Sequence, residues 1–130
     1  ERAAGPDVRF LGSVSSETIR DLYRRSAVTL LPGEEDFGIA PLEAQACGRP
    51  VVALGRGGAL ETVVPEVSGA LVDDLDPRAF AEAITATFDR RFDVAAIRAY
   101  AERFSRARFA DEMSVLIQDC CPDASAEGYA

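Results

Sequence analysis

The chain has 130 residues, 48% hydrophobic and 8% aromatic, which suits one domain able to bury roughly two thirds of its unfolded surface around Val, Leu, Ile, Ala and some Phe. Its formal net charge is −8 and all fourteen basic residues are arginine, so it offers no basic stripe to nucleic acid or to an anionic membrane surface. Having neither lysine nor histidine, it also lacks P-loop and Schiff-base lysines, the commonest general base and histidine metal sites.

Three cysteines, Cys47, Cys120 and Cys121, make an odd count with two adjacent. That pattern suggests no disulfide framework and no spaced zinc motif, and reads as reduced thiols in a cytoplasmic protein. No stretch of roughly 18 apolar residues and no charged-then-apolar leader is present, so any membrane association belongs to parts of the protein outside this sequence. The chain opens on Glu1 without an initiator methionine, as expected of an excised piece of a longer protein.

In chain order, residues 1–7 read as a loop and Val8–Gly12 as a short strand. Ser15 or Ser16 caps a helix reaching about Ser26, with Ile19, Leu22 and Tyr23 at core spacing and Arg20, Arg24 and Arg25 largely outside. Ala27–Leu31 is a second, buried strand stopped by Pro32 and Gly33. An acidic loop, Glu34-Glu35-Asp36, leads into a short helix from near Gly38, and Gly48 stands where a helix takes its left-handed C-terminal residue. Arg49–Leu54 is the next strand, which completes a β-α-β unit.

Beyond it, Gly55-Arg56-Gly57-Gly58 permits close backbone approach at a sheet edge. Ala59–Val64 is a short helix ended by Pro65, and Ser68–Val72 is a fourth strand. Asp74-x-Asp76 has the spacing of a metal-binding motif, but Asp76 before Pro77 is a better helix N-cap for a helix over Arg78–Phe88, and no metal site is expected. Two further helices run from Asp93 to about Phe104 and from Arg106 to about Asp119. Their apolar faces are Val94, Ile97 and Ala101, then Phe109, Met113, Leu116 and Ile117. The domain is expected to span 1–121, with 122–130 a mobile tail.

The candidate site is the entrance to the helix after the acidic loop. At the carboxyl edge of a parallel sheet, the free amides of Gly38, Ile39 and Ala40 and the helix dipole favour an anion. Glu35 stands just outside the helix and Glu43 roughly 7 to 8 Å further along its axis at 1.5 Å per residue. Carboxylates accept hydrogen bonds from sugar hydroxyls and repel phosphate, so the pair suits sugars on either side of a diphosphate. Taken alone, two acids at this spacing are equally ordinary solvated residues. Asp36-Phe37-Gly38 matches a kinase tripeptide, yet the strand lysine and histidine-bearing loop have no counterpart.

Glu35-x7-Glu43 with Phe37-Gly38-Ile39 between, followed by Glu-Ala-Gln-Ala-Cys-Gly-Arg-Pro-Val-Val, resembles the signature of retaining GT-B glycosyltransferases, the glycosyl transferases group 1 or family four. The resemblance runs from about Val8 to about Ile84 and includes Tyr23-x3-Ala27, Gly57-Gly58-x2-Glu61-x-Val63 and Gly69-x-Leu71-Val72. It implies an α/β fold, a doubly wound Rossmann-like parallel sheet forming part of the C-terminal, donor-binding domain, with a helical C-terminus. It also implies transfer of a sugar from a nucleotide diphosphate donor with retention, without metal or other cofactor. By the same resemblance Glu43 holds the ribose, Glu35 faces the donor sugar as the catalytic-site acid, and Phe37, Gly38 and Ile39 offer backbone amides. Gly57 and Gly58 border the sugar and phosphates. The Glu-Asp-Phe-Gly-Ile-Ala-Pro-Leu-Glu form is similar to that of mannosyltransferases and implies a GDP-mannose donor, with UDP-sugars still open, and a glycan or glycolipid acceptor.

Two features of the family are missing: the first strands of the donor domain, whose loop carries an Arg and Lys diphosphate clamp, and the N-terminal acceptor domain. Weak donor binding and no turnover are therefore expected of the isolated chain. The missing strands also leave a sheet edge to be filled, either by Val8–Leu11 beside Val28–Leu31 or by self-association with another chain. A non-catalytic nucleotide-binding or assembly module on the same fold is the alternative.

Overall fold

The computed structural model describes residues 4–121. Within them β1 (Thr29–Leu31), β2 (Val51–Leu54) and β3 (Gly69–Val72) form one parallel sheet in the order β1-β2-β3. Thr29 lies opposite Val51, and Val51 opposite Gly69. The helices are α1 (Ser16–Arg25), α2 (Ile39–Ala46), α3 (Ala59–Thr62), α4 (Pro77–Asp89), α5 (Val94–Glu102) and α6 (Arg106–Cys120). The expected tail at 122–130 lies outside the described residues.

β2 is the centre, with Val51, Val52 and Ala53 at 0% exposure. Because successive side chains point to opposite faces, Val51 and Ala53 join Leu31, Ala44, Ala59 and Val63 on one side. Val52 and Leu54 join Val72 and Phe80 on the other. Helices α2 and α3 cover the first face and α4 the second, which is the doubly wound arrangement expected from the sequence. Helix α5 forms a further layer, packing on α2 with Ile97 fully buried.

Local signals account for most of the ends. Helix α4 begins where Asp76 Oδ1 accepts from the Arg78 amide at 3.1 Å, with Pro77 in its first turn. Helix α2 ends on Gly48 at φ +75°, where the Gly48 amide donates to Gln45 O at 2.7 Å and the Arg49 amide to Ala44 O at 3.0 Å, the paired bonds of a Schellman motif.

Three expectations are corrected. Val8–Gly12 makes no strand, and Phe10 is 61% exposed. It does not pair beside β1, whose outer edge carries no partner strand among the described residues. Ser15 caps α1 as expected, yet Ile19 and Leu22 are exposed and only Tyr23 reaches the core. Helix α6 forms over the expected residues, but Phe109, Met113, Leu116 and Ile117 are all exposed. In α1 and α6 the apolar pattern specifies the element, but in all three segments burial, and for Val8–Gly12 the strand itself, needs an opposing surface that residues 4–121 do not supply.

A Cβ on Gly48 would stand 2.6 Å from Val94 Cγ1 as well as in left-handed backbone. Gly48→Ala is therefore expected to lower stability by at least about 1 to 2 kcal/mol in urea unfolding. Gly33→Ala, with nothing within 4 Å of the added carbon, should stay within about 0.5 kcal/mol. Equal losses at the two glycines would contradict the seating of α5 on α2.

Candidate functional site

Two loops leave the carboxyl ends of adjacent strands and meet. The first runs from β1 through Glu34, Glu35 and Asp36 to Gly38, which is buried at φ +81° and turns the chain into α2. No side chain caps α2, and Pro41 in its first turn has no N–H, so the amides of Gly38, Ile39 and Ala40 have no intrahelical acceptor. The second loop runs from β2 through Gly57, at φ +54°, to Gly58. The Gly58 amide donates to Glu35 O at 2.7 Å. A Cβ on Gly57 would overlap the Glu35 carbonyl, and one on Gly58 would overlap the Phe37 backbone, so the absence of side chains is what lets the loops touch.

The contact is backed from the core. Gly58 O accepts from Thr62 Oγ1 at 2.9 Å, and fully buried Gln45 donates through Nε2 to Thr62 O at 2.7 Å. Gln45 thus ties α2 to α3 behind both loops.

Helix α2 presents two opposite faces, each at helical spacing. Pro41, Ala44 and Gln45 are buried on one face, while Ile39, Leu42, Glu43 and Ala46 line a cleft of about 980 Å³. Phe37 also lines it, and α5 and α6 form the opposite wall, with Phe104 and Phe109. The structure therefore brings Glu35, Phe37, Gly57 and Gly58 into one cluster, and sets Glu43 with Phe37 and Ile39 at the cleft. Glu43 lines that cleft and Glu35 does not. Among the described residues no group of three or more His, Cys, Asp or Glu gathers as a metal site, and no helix is long and apolar enough to cross a membrane.

Tyr23 faces Glu43. Burial pushes its hydroxyl pKa above the ordinary value, and the nearby carboxylate of Glu43 pushes it the same way. Tyr23 keeps its proton and so places a hydroxyl donor on the side of α2 that carries Glu43. The Tyr23-x3-Ala27 spacing singles this residue out in the sequence, but its pairing with Glu43 depends on α1 packing over α2. Gln45 has a local signal as well, a polar residue four positions after Pro41 on the core face.

The model for glycosyl transferases group 1 matches residues 1–90. The chain belongs to this family. D-inositol 3-phosphate glycosyltransferase of Geodermatophilus obscurus is 43% identical over 108 residues, covering 82% of this chain and 24% of that protein. The Mycolicibacterium smegmatis protein of the same name is 39% identical over 111 residues, covering 85% and 25%. Among solved structures, sucrose-phosphate synthase from Thermosynechococcus elongatus superposes with a TM-score of 0.73 at 32% identity, covering 89% of this chain and 31% of the other. The group 1 chain thus has a GT-B-type α/β fold and spans about a quarter of the length of the curated relatives it matches.

Because the Tyr23 pKa is raised in the folded state, the stability tied to its proton is fully present below the unfolded value of about 10 and lost as pH rises through the folded value. Between about pH 8 and about pH 11 the wild type should lose more stability in urea unfolding than Tyr23→Phe, which has no phenol to ionise. Parallel losses in the two proteins would show that Tyr23 does not face Glu43.

Proposed function

We propose that this chain is the donor-binding part of a retaining glycosyltransferase, which moves a sugar from a nucleotide diphosphate donor to an acceptor hydroxyl. The observation that carries the reading is the uncapped start of α2, with free amides at Gly38 and Ile39, Glu35 and Glu43 flanking them in the sequence, and the Gly57-Gly58 loop fastened to Glu35. A leaving diphosphate gathers negative charge, and fixed amides at a helix start oppose that charge without having to reorganise.

In this reading Glu43 accepts from the ribose hydroxyls, with the Tyr23 hydroxyl nearby. Glu35 faces the donor sugar, its main-chain carbonyl already held by Gly58. Phe37, Gly38 and Ile39 supply the amides, and Gly57 and Gly58 let the sugar and phosphates approach the backbone. No cofactor beyond the donor is invoked.

GDP-mannose and UDP-sugars are both candidate donors. The relatives named for D-inositol 3-phosphate favour a phosphorylated cyclitol as acceptor over the glycan or glycolipid expected from the sequence. The acceptor domain and the positive diphosphate clamp belong to the remaining length those relatives have. Three free cysteines fit a reducing compartment, and the proposed location is the cytoplasm.

Calorimetric titration with GDP and with UDP tests the site. One nucleotide should bind weakly, and Glu43→Ala should weaken it about tenfold, near 1.4 kcal/mol, through loss of charge-assisted hydrogen bonds. Binding of neither nucleotide would favour a non-catalytic assembly module. In transfer assays with nucleotide sugars the chain alone should show no turnover, and measurable turnover would overturn the assignment of the clamp to another part of the protein.

A further inference from the structure

The two loops are joined a second time through Tyr100 and Phe104, to which the proposed donor site assigns no role. Tyr100 on α5 donates its hydroxyl to Glu61 O at 2.6 Å, on the short helix that follows Gly57 and Gly58. Its ring meets Phe104 edge to face, with centroids 5.7 Å apart and planes at 63°. Phe104 in turn meets Phe37 at 5.9 Å and 65°. Since Phe37 sits in the acidic loop, the contacts close a circuit: Glu35 to Gly58 directly, then α3, Glu61, Tyr100, Phe104 and back through Phe37.

The support under this arch is rigid. Helix α5 is anchored by fully buried Ile97 against α2, and Gly48 lets it approach closely. The Phe104 amide donates to Ala101 O at 3.0 Å, which fixes the residue just beyond the helix end. Neither Tyr100 nor Phe104 belongs to a buried core cluster, and Phe37 is 43% exposed. The arch is therefore poorly placed to stabilise the whole domain and well placed to fix one loop against the other. Edge-to-face pairs suit that task, because their geometry constrains ring orientation as well as distance.

We propose that Tyr100 and Phe104 are positioning residues, which hold the acidic loop carrying Glu35 in register with the Gly57-Gly58 loop from the α5 side of the cleft. Their effect on sugar transfer rests on the glycosyltransferase reading; their effect on the loops does not. A strut of this kind acts on the equilibrium between closed and locally opened loops, which amide exchange reports.

The test follows exchange of the Gly58 amide in the ligand-free chain by NMR, with the Val52 amide of the central strand as internal reference. Phe104→Ala should speed Gly58 exchange about tenfold while Val52 changes less than about twofold. Phe104→Tyr, which keeps the ring, should restore the wild-type rate. Tyr100→Phe removes only the hydroxyl that reaches Glu61 and should give a smaller rise at Gly58; it decides the matter if Phe104→Ala does not fold. Unchanged Gly58 exchange in Tyr100→Phe and Phe104→Ala, or a rise shared equally by Val52, would overturn the proposal. Nucleotide titration of the same variants separates the two readings. Selective loss of Gly58 protection in a chain that binds neither GDP nor UDP would support the strut and count against the donor site alone.

Discussion

Burial of β2 on both faces is the constraint from which the remaining architecture follows. A parallel strand with Val51, Val52 and Ala53 fully enclosed needs helices on both sides of the sheet; the crossovers α2 and α3 cover one face, and α4, which follows β3, covers the other. With the strands parallel, the loops after β1 and β2 must emerge side by side at the carboxyl edge. The site is thus a consequence of sheet topology before any of its residues is considered. What the particular sequence adds is the distance between those loops.

That distance is set by glycine. An L-residue at Gly57 or Gly58 would drive a methylene into the Glu35 or Phe37 backbone, and the 2.7 Å bond from the Gly58 amide to Glu35 O could not form. The same economy of side-chain volume recurs at Gly48, where α5 approaches α2. Removing side chains at three points lets two loops and two helices close on one another, and polar groups then fasten them: Gln45 to Thr62 from the core side, Tyr100 to Glu61 from α5. Glu35 and Phe37 are exposed, yet the Glu35 carbonyl is held by the Gly58 amide and the Phe37 ring by Phe104.

Local grammar was legible in the sequence wherever one short segment decides the outcome. Asp76 with Pro77, Gly48, Ser15 and the βα boundaries all act within a few residues, and the structure follows them closely. The placement of Glu35, Gly38 and Glu43 relative to one another was legible to the same degree, because they fall within one loop and one helix. Contacts between distant segments were not. Tyr23 beside Glu43, and Phe104 between Phe37 and Tyr100, depend on how α1 and α5 pack, and periodicity says only which face is apolar. The overestimates have the same origin. Val8–Gly12, Ile19, Leu22 and the apolar side of α6 carry the pattern of burial without an opposing surface in residues 4–121. Pattern records what a segment needs, and the partner that meets the need can lie anywhere in the polypeptide.

The electrostatics of the site bear on what it would select. Glu34, Glu35 and Asp36 crowd the mouth of a domain whose net charge is −8, and all three are exposed. At physiological ionic strength their fields fade over about 8 Å, so they act on a ligand at the start of α2 but hardly beyond it. For bare phosphate the attraction of the Gly38, Ile39 and Ala40 amides is opposed by these carboxylates. For a diphosphate flanked by sugars, the same carboxylates meet hydroxyl donors and the opposition turns into recognition. In the proposed donor-binding reading, acids that look misplaced beside an anion site would discriminate in favour of the sugar-bearing ligand, by making the phosphate alone a poor one. The cost is affinity, which the acidic mouth lowers for every anion. A positive clamp from another part of the protein would restore affinity without altering that preference, since it acts on the phosphates common to all candidates while the glutamates act on the sugars that distinguish them.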